Sequence, residues 1–155
     1  MILSDNLKKN NIMLNITASD RWQLFDIMIN LAVKNGNISQ ENRNEITETL
    51  TQREKSMTTG IGKGIAIPHC MSSKVDKITI VLATLKNALE FDSIDNEPVY
   101  IVVLLLVPKN QSSLHIKALA DIARMLNNAE LREKIRSYKT ADSVFKLIKD
   151  FDPQN

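Results

Sequence analysis

The sequence predicts an α/β fold, a single compact domain with a short mixed β-sheet flanked by helices on both sides, and three observations carry it. Val99 to Val107 is an uninterrupted apolar run bounded by Pro98 and Pro108, which reads as a central strand covered on both faces. Stretches after residues 19, 112 and 140 repeat apolar residues at the 3.6 period of an amphipathic helix. Shorter strand-like runs lie between, and no repeat, low-complexity tract or linker divides the chain. A length of 155 residues suits one domain, residues 1–155, with its core over roughly residues 10–150.

Taken in order, residues 1–10 are polar and read as a loose lead-in. Asn11 to Ile16 places Ile12, Leu14 and Ile16 on one side of a first strand. Ser19 is the expected N-cap of a helix with Trp22, Phe25, Ile29 and Ala32/Val33 inward, ending at Asn35-Gly36. At this spacing Trp22 is read as core rather than as a binding aromatic. A second helix from Ser39 turns Ile46 and Leu50 inward and closes at Arg53-Glu54-Lys55. Ile65-Ala66-Ile67 reads as a short strand, Cys70 to Lys74 as a loop, and Lys77 to Leu85 as a strand covered on both faces. Asn87 to Glu97 holds turns around an isolated Phe91. Ser112 or Ser113 is expected to cap a long helix bearing Leu114, Ala118, Ile122 and Met125/Leu126. A short helix over Ala129 to Ser137 and a last one capped by Thr140 follow, and Pro153 is expected to end the structure.

Composition excludes several functional classes. A net charge of +2, with no dense basic block interleaved with aromatics, argues against nucleic acid. One cysteine forbids an intrachain disulfide and agrees with a reducing compartment. The N-terminus lacks the pattern of a signal peptide, and the longest apolar run falls short of the roughly 20 residues of a membrane span. A cytoplasmic protein is expected, without membrane insertion, although docking to a membrane permease complex stays open.

Thr58 to His69 stands apart, because it holds three of the four glycines and one of the two histidines. Glycines at alternate positions permit positive φ and close backbone approach. Pro68 offers no N–H, so strand pairing is expected to stop there and leave His69 at a strand end, an imidazole on a stiff mount. The dinucleotide fingerprint does not fit, since the third glycine comes one position early and a strand follows; nor does the nucleotide P-loop, since Gly64 follows Gly62-Lys63.

Arg53-Glu54, Thr59-Gly60-Ile61-Gly62-Lys63-Gly64 and Ala66-Ile67-Pro68-His69 together resemble the phosphorylation-site signature of the enzyme IIA component of the bacterial phosphoenolpyruvate:sugar phosphotransferase system, in its fructose, mannitol and nitrogen-regulatory branch. Phe91-Asp92-Ser93-Ile94-Asp95, Pro98-Val99, Leu105-Leu106-Val107-Pro108 and Leu114-His115 extend the match over roughly residues 10–150. The resemblance implies a phosphohistidine at His69, made by in-line transfer from the small carrier HPr or its nitrogen-branch counterpart. In a transport form the group passes on to a cysteine of an enzyme IIB. In a regulatory form the protein binds target proteins according to phosphorylation state, and the wording of Ile94 to Val99 and of Leu105-Leu106-Val107-Pro108 leans slightly towards that branch. A degenerate binding domain is disfavoured, because Arg53, His69 and His115 are all present.

Phosphoryl transfer asks mainly for positioning and for donors to the equatorial oxygens. Backbone N–H groups of the loop at Thr59, Gly60, Gly62 and Gly64 are candidates for an anion-binding nest. Arg53 reads either as a solvated charge at a helix end or as a planar fork for two oxygens, and the resemblance favours the fork. His115 falls in a first helical turn, where the dipole disfavours imidazolium; it reads as a donor to the phosphoryl group, an orienter of His69, or a surface histidine. Lys63 reads as exposed surface available to a partner. No cofactor is expected. Zinc held by His69, Cys70 and His115 is disfavoured by the spacing. Cys70 stands where the family commonly has glycine, so oxidation or alkylation there is a possible route to impaired transfer.

Overall fold

Two strands organise the sheet: β5 (Thr79–Leu89) and β6 (Val99–Pro108), paired antiparallel. Their side chains alternate between faces, as the two-residue period of a strand requires. Ile80, Leu82, Ile101, Val103, Leu105 and Val107 enter one core cluster, whereas Val81, Ala83, Val102, Leu104 and Leu106 enter another. Both sides of β6 are therefore dry, which explains its unbroken apolar sequence.

The computed structural model describes residues 2–151 and shows six α-helices and an open, mixed six-stranded sheet. Its order is β1-β5-β6-β3-β2, with β1 (Leu7–Ile16), β2 (Gly60–Gly62) and β3 (Ile65–Ala66), while β4 (His69–Ser72) also pairs with β6. One face is covered by α1 (Ile2–Asn6), α4 (Ser112–Leu126), α5 (Ala129–Ser137) and α6 (Ala141–Asp150). The other is covered by α2 (Arg21–Lys34) and α3 (Arg43–Ser56), with Phe91 buried against Phe25 at 6.2 Å between ring centroids.

Several local expectations are corrected. Where residues 1–10 were expected to be a loose lead-in, the described residues 2–10 are structured: α1 buries Ile2 and Leu3, and β1 begins at Leu7. A five-residue helix has too few apolar positions to show a period and is stabilised by packing rather than propensity. Asp20, not Ser19, caps α2 by accepting from Gln23 N–H at 2.8 Å, while the Ser19 N–H donates to the Gln23 side chain. A 3-10 turn over Gln40–Asn42 precedes α3, so that helix begins later than Ser39. At α4 the N-cap position is Gln111, without a side-chain cap, rather than Ser112 or Ser113. Thr140 does cap α6, accepting from Ser143 N–H. Trp22 is only partly buried; it packs on the α2/α3 core with the Arg21 guanidinium over its ring at 4.5 Å. The expected stop at Pro153 lies outside the described residues.

Candidate functional site

The lane beside β6 carries the site. β3 pairs Ile65 with Ile101 and Ala66 with Val102; β4 pairs His69 with Leu105 and Cys70 with Leu106. The register is the same on both sides of Ile67-Pro68, and the Pro68 carbonyl accepts from Leu105 N–H at 2.9 Å. Pro68 therefore interrupts the lane without ending it: His69 opens a second strand, and most of the expected Cys70–Lys74 loop is strand. A proline costs the ladder only its own missing donor, which an outer strand tolerates.

Alternation along β4 puts Cys70 into the α2/α3 core and turns His69 to the opposite side. There the His115 ring, four residues into α4, meets it edge-on with centroids 5.1 Å apart. Arg53, in the last turn of α3, reaches the same place, with Nη2 3.4 Å from His69 Nε2 and Nη1 donating to the Met57 carbonyl at 2.8 Å. Helices from both faces of the sheet thus converge on one imidazole. A cleft of about 310 Å3 is lined by Arg53, His69 and His115 together with Thr49, Cys70, Met71 and Lys109. Sequence reasoning missed Thr49 and Lys109. Thr49 shares a helix face with Arg53 at i, i+4, a signal available in the sequence; Lys109 follows Pro108 and carried no signal of its own.

The tautomer of His69 is set by the backbone. Nδ1 lies 2.7 Å from the Ile67 carbonyl, an atom that only accepts, so Nδ1 carries the proton and Nε2 keeps its lone pair. Burial pushes the His69 pKa down to about 4, opposed by the Ile67 hydrogen bond and assisted by Arg53 and His115. Burial, then Arg53, lowers that of His115 as well. Both rings are neutral at pH 7.

The glycine hairpin does not line this cleft. The Glu54 carboxylate, buried under α3, accepts from Thr59 N–H at 2.8 Å and from Thr59 Oγ1 at 2.6 Å, and pairs with Arg21 at 3.3 Å. Gly60 N–H donates to Thr58 Oγ1 at 3.0 Å, and Lys63 N–H to Asp95 Oδ2 at 2.9 Å. These amides are committed within the fold. A Cβ on Gly60 would come within 2.3 Å of Ser93 Oγ, and Gly62 holds φ at +98°, so both positions demand glycine for packing and turn geometry.

Burial pushes the Cys70 thiol up to about 12, which leaves it protonated and inert rather than exposed to oxidation. Among the described residues, no group of three His, Cys, Asp or Glu side chains is placed to hold a metal ion, and no helix is long and apolar enough to cross a membrane.

Comparison with known proteins gives a consistent picture. The family described as "Phosphoenolpyruvate-dependent sugar phosphotransferase system, EIIA 2" matches residues 5–151. A nitrogen regulatory protein of Bradyrhizobium diazoefficiens is 38% identical over 118 residues, covering 76% of this chain and 77% of that protein. One from Pseudomonas aeruginosa is 30% identical over 148 residues, covering 96% and 95%. The crystal structure of the nitrogen regulatory protein IIA-Ntr from Neisseria meningitidis is similar with a TM-score of 0.86 at 26% identity, over 96% of this chain and 99% of that one.

Proposed function

This chain belongs to the EIIA 2 family of the phosphoenolpyruvate-dependent sugar phosphotransferase system, and we propose that it is a phosphocarrier whose acceptor atom is Nε2 of His69. The observation that carries the reading is the tautomer: Nδ1 is tied to the Ile67 carbonyl, so the free lone pair is on Nε2 and faces the cleft's donors. In the proposed step that lone pair attacks phosphorus in line, forming a new P–N bond. The P–N bond of a donor phosphohistidine breaks, and its electron pair stays on the donor ring. The proton stays on His69 Nδ1, donated in the hydrogen bond to the Ile67 carbonyl, which supports the positive charge that the ring acquires.

Arg53 contributes a planar fork to the equatorial oxygens, and Lys109 adds a second cation at the rim. His115 Nδ1 is buried without a hydrogen-bond partner among the described residues. An orphaned N–H there would cost more than an orphaned lone pair, so the proton belongs on Nε2, and His115 acts as a neutral donor. The low pKa of His69 keeps the nucleophile unprotonated in a reducing cytoplasm near neutral pH.

The donor in this reading is an HPr-type carrier protein or its nitrogen-branch counterpart. Exposed Met71 beside His69, Ile116 beside His115 and Met57 beside Arg53 give a protein partner an apolar rim to dock on. The phosphoryl group then passes to an enzyme IIB cysteine. A second reading, in which phosphorylation state governs binding to regulatory target proteins, is supported by the two relatives named nitrogen regulatory proteins. Incubation with enzyme I, HPr and phosphoenolpyruvate tests the common core. One acid-labile phosphoryl group is expected on His69, and none on a folded His69→Ala variant. A label elsewhere, or retained by that variant, would sink it.

A further inference from the structure

We propose that a second pocket, which shares no lining residue with the His69 cleft, binds a small phosphate monoester. It measures about 220 Å3 and lies where the turn of the β2–β3 hairpin meets α5. Lys63, Arg132 and Arg136 line it against a single carboxylate, that of Glu133. Among the described residues none of these three cations takes part in an ion pair. The excess of two positive charges matches a phosphate monoester dianion.

The cations are held rather than free. Arg132 Nη1 donates to the Leu126 and Asn127 carbonyls at 3.0 and 2.9 Å, Lys63 Nζ donates to the Asn127 side chain, and the Arg136 guanidinium lies 3.8 Å from the Tyr100 ring centre. Each keeps further N–H groups for a ligand, because a guanidinium has five and an ammonium three. Donors already fixed lose little side-chain entropy on binding, which is what makes such a cluster a site rather than a solvated patch. The volume falls below the roughly 300–1,000 Å3 of drug-sized pockets. It selects an anion of few heavy atoms over a nucleotide.

Titration of the 15N-labelled full chain with glycerol 3-phosphate, followed by amide NMR shifts at physiological ionic strength, tests this. Saturable shifts are expected at Lys63, Gly64 and Ala129. Arg136→Gln should weaken binding on the order of tenfold, as should Lys63→Asn, which keeps a residue tolerant of the observed φ of +59°. Three outcomes would overturn the proposal: no saturable shifts at these amides, an equal response to sodium chloride of the same ionic strength, or unchanged affinity in both variants. Shifts confined to His69, Met71 and Lys109 would place the phosphate in the other cleft and overturn it too.

Discussion

The two halves of the Thr58–Ser72 stretch make opposite use of their polar groups. In the hairpin half, the Thr59, Gly60 and Lys63 amides are bonded to Glu54, Thr58 and Asp95, so hydrogen bonding is spent on shape. In the His69 half, one ring nitrogen is spent on Ile67 O and the other is left to Arg53 and the cleft. A motif that reads as one functional unit is thus a mount followed by the imidazole that we propose as the phosphoryl acceptor. Changes to the first half should be read in stability, and changes to the second in transfer rate.

The largest expected effect sharpens the stability side. Glu54→Ala leaves Arg21 and two Thr59 donors without their buried partner, a loss on the order of 3–5 kcal/mol. Thermal or urea unfolding measures it, and a loss below about 1 kcal/mol would mean the hairpin is not held from α3. Next comes His115→Ala, which removes one oriented donor while leaving the acceptor. Phosphorylation of His69 should slow on the order of 10²-fold in single-turnover assays, with unfolding little changed. Full-speed transfer would return His115 to the surface histidines. Gly60→Ala belongs to the hairpin half: overpacking against Ser93 should cost about 1–3 kcal/mol of stability while a folded variant keeps its phosphohistidine. Loss of the label in a variant of near-native stability would break the comparison, because the loop would then be serving the phosphoryl group directly.

Arg53→Lys is a smaller test of the reactive half. It keeps the charge and loses the fork, so transfer should slow roughly tenfold, about 1.4 kcal/mol of barrier. Wild-type rates would reduce Arg53 to a nearby charge. The smallest effect concerns pH. With its pKa lowered to about 4, His69 stays neutral down to pH 5.5, where an ordinary imidazole would have lost the neutral form about eightfold relative to pH 7. Because the folded pKa lies below the unfolded one, the associated stability is complete above pH 6.5 and is lost as pH falls from 6.5 towards 4. NMR titration of the ring checks this, and a midpoint near 6.5 would mean that the site is hydrated.

Much was settled by sequence alone, wherever the physics is local. The Val99–Val107 run specifies a strand buried on both faces, because nothing in it can face water. The helical faces of Phe25 and Ile29, and of Ala118 and Ile122, follow from a 3.6 period and enter the expected cores. Thr140 as a cap and the glycines at a turn are likewise local choices of backbone geometry. Tertiary structure decided what depends on distant partners. Leu3 has too short a helix to advertise itself and is buried only because α4 lies across α1. Pro68 looked like the end of a strand, yet β6 supplies the neighbouring ladder that carries the lane past it. Glu54 drew no reading of its own beyond closing a helix beside Arg53, and only the return of Thr59 and the approach of Arg21 make it a buried anchor. His115, on α4, is brought to within 5.1 Å of His69 on β4, centroid to centroid, by the packing of that helix across the sheet, a long-range arrangement that no local period encodes. Desolvation, which sets the His69 pKa, is a property of the whole cleft and exists only once those helices have met.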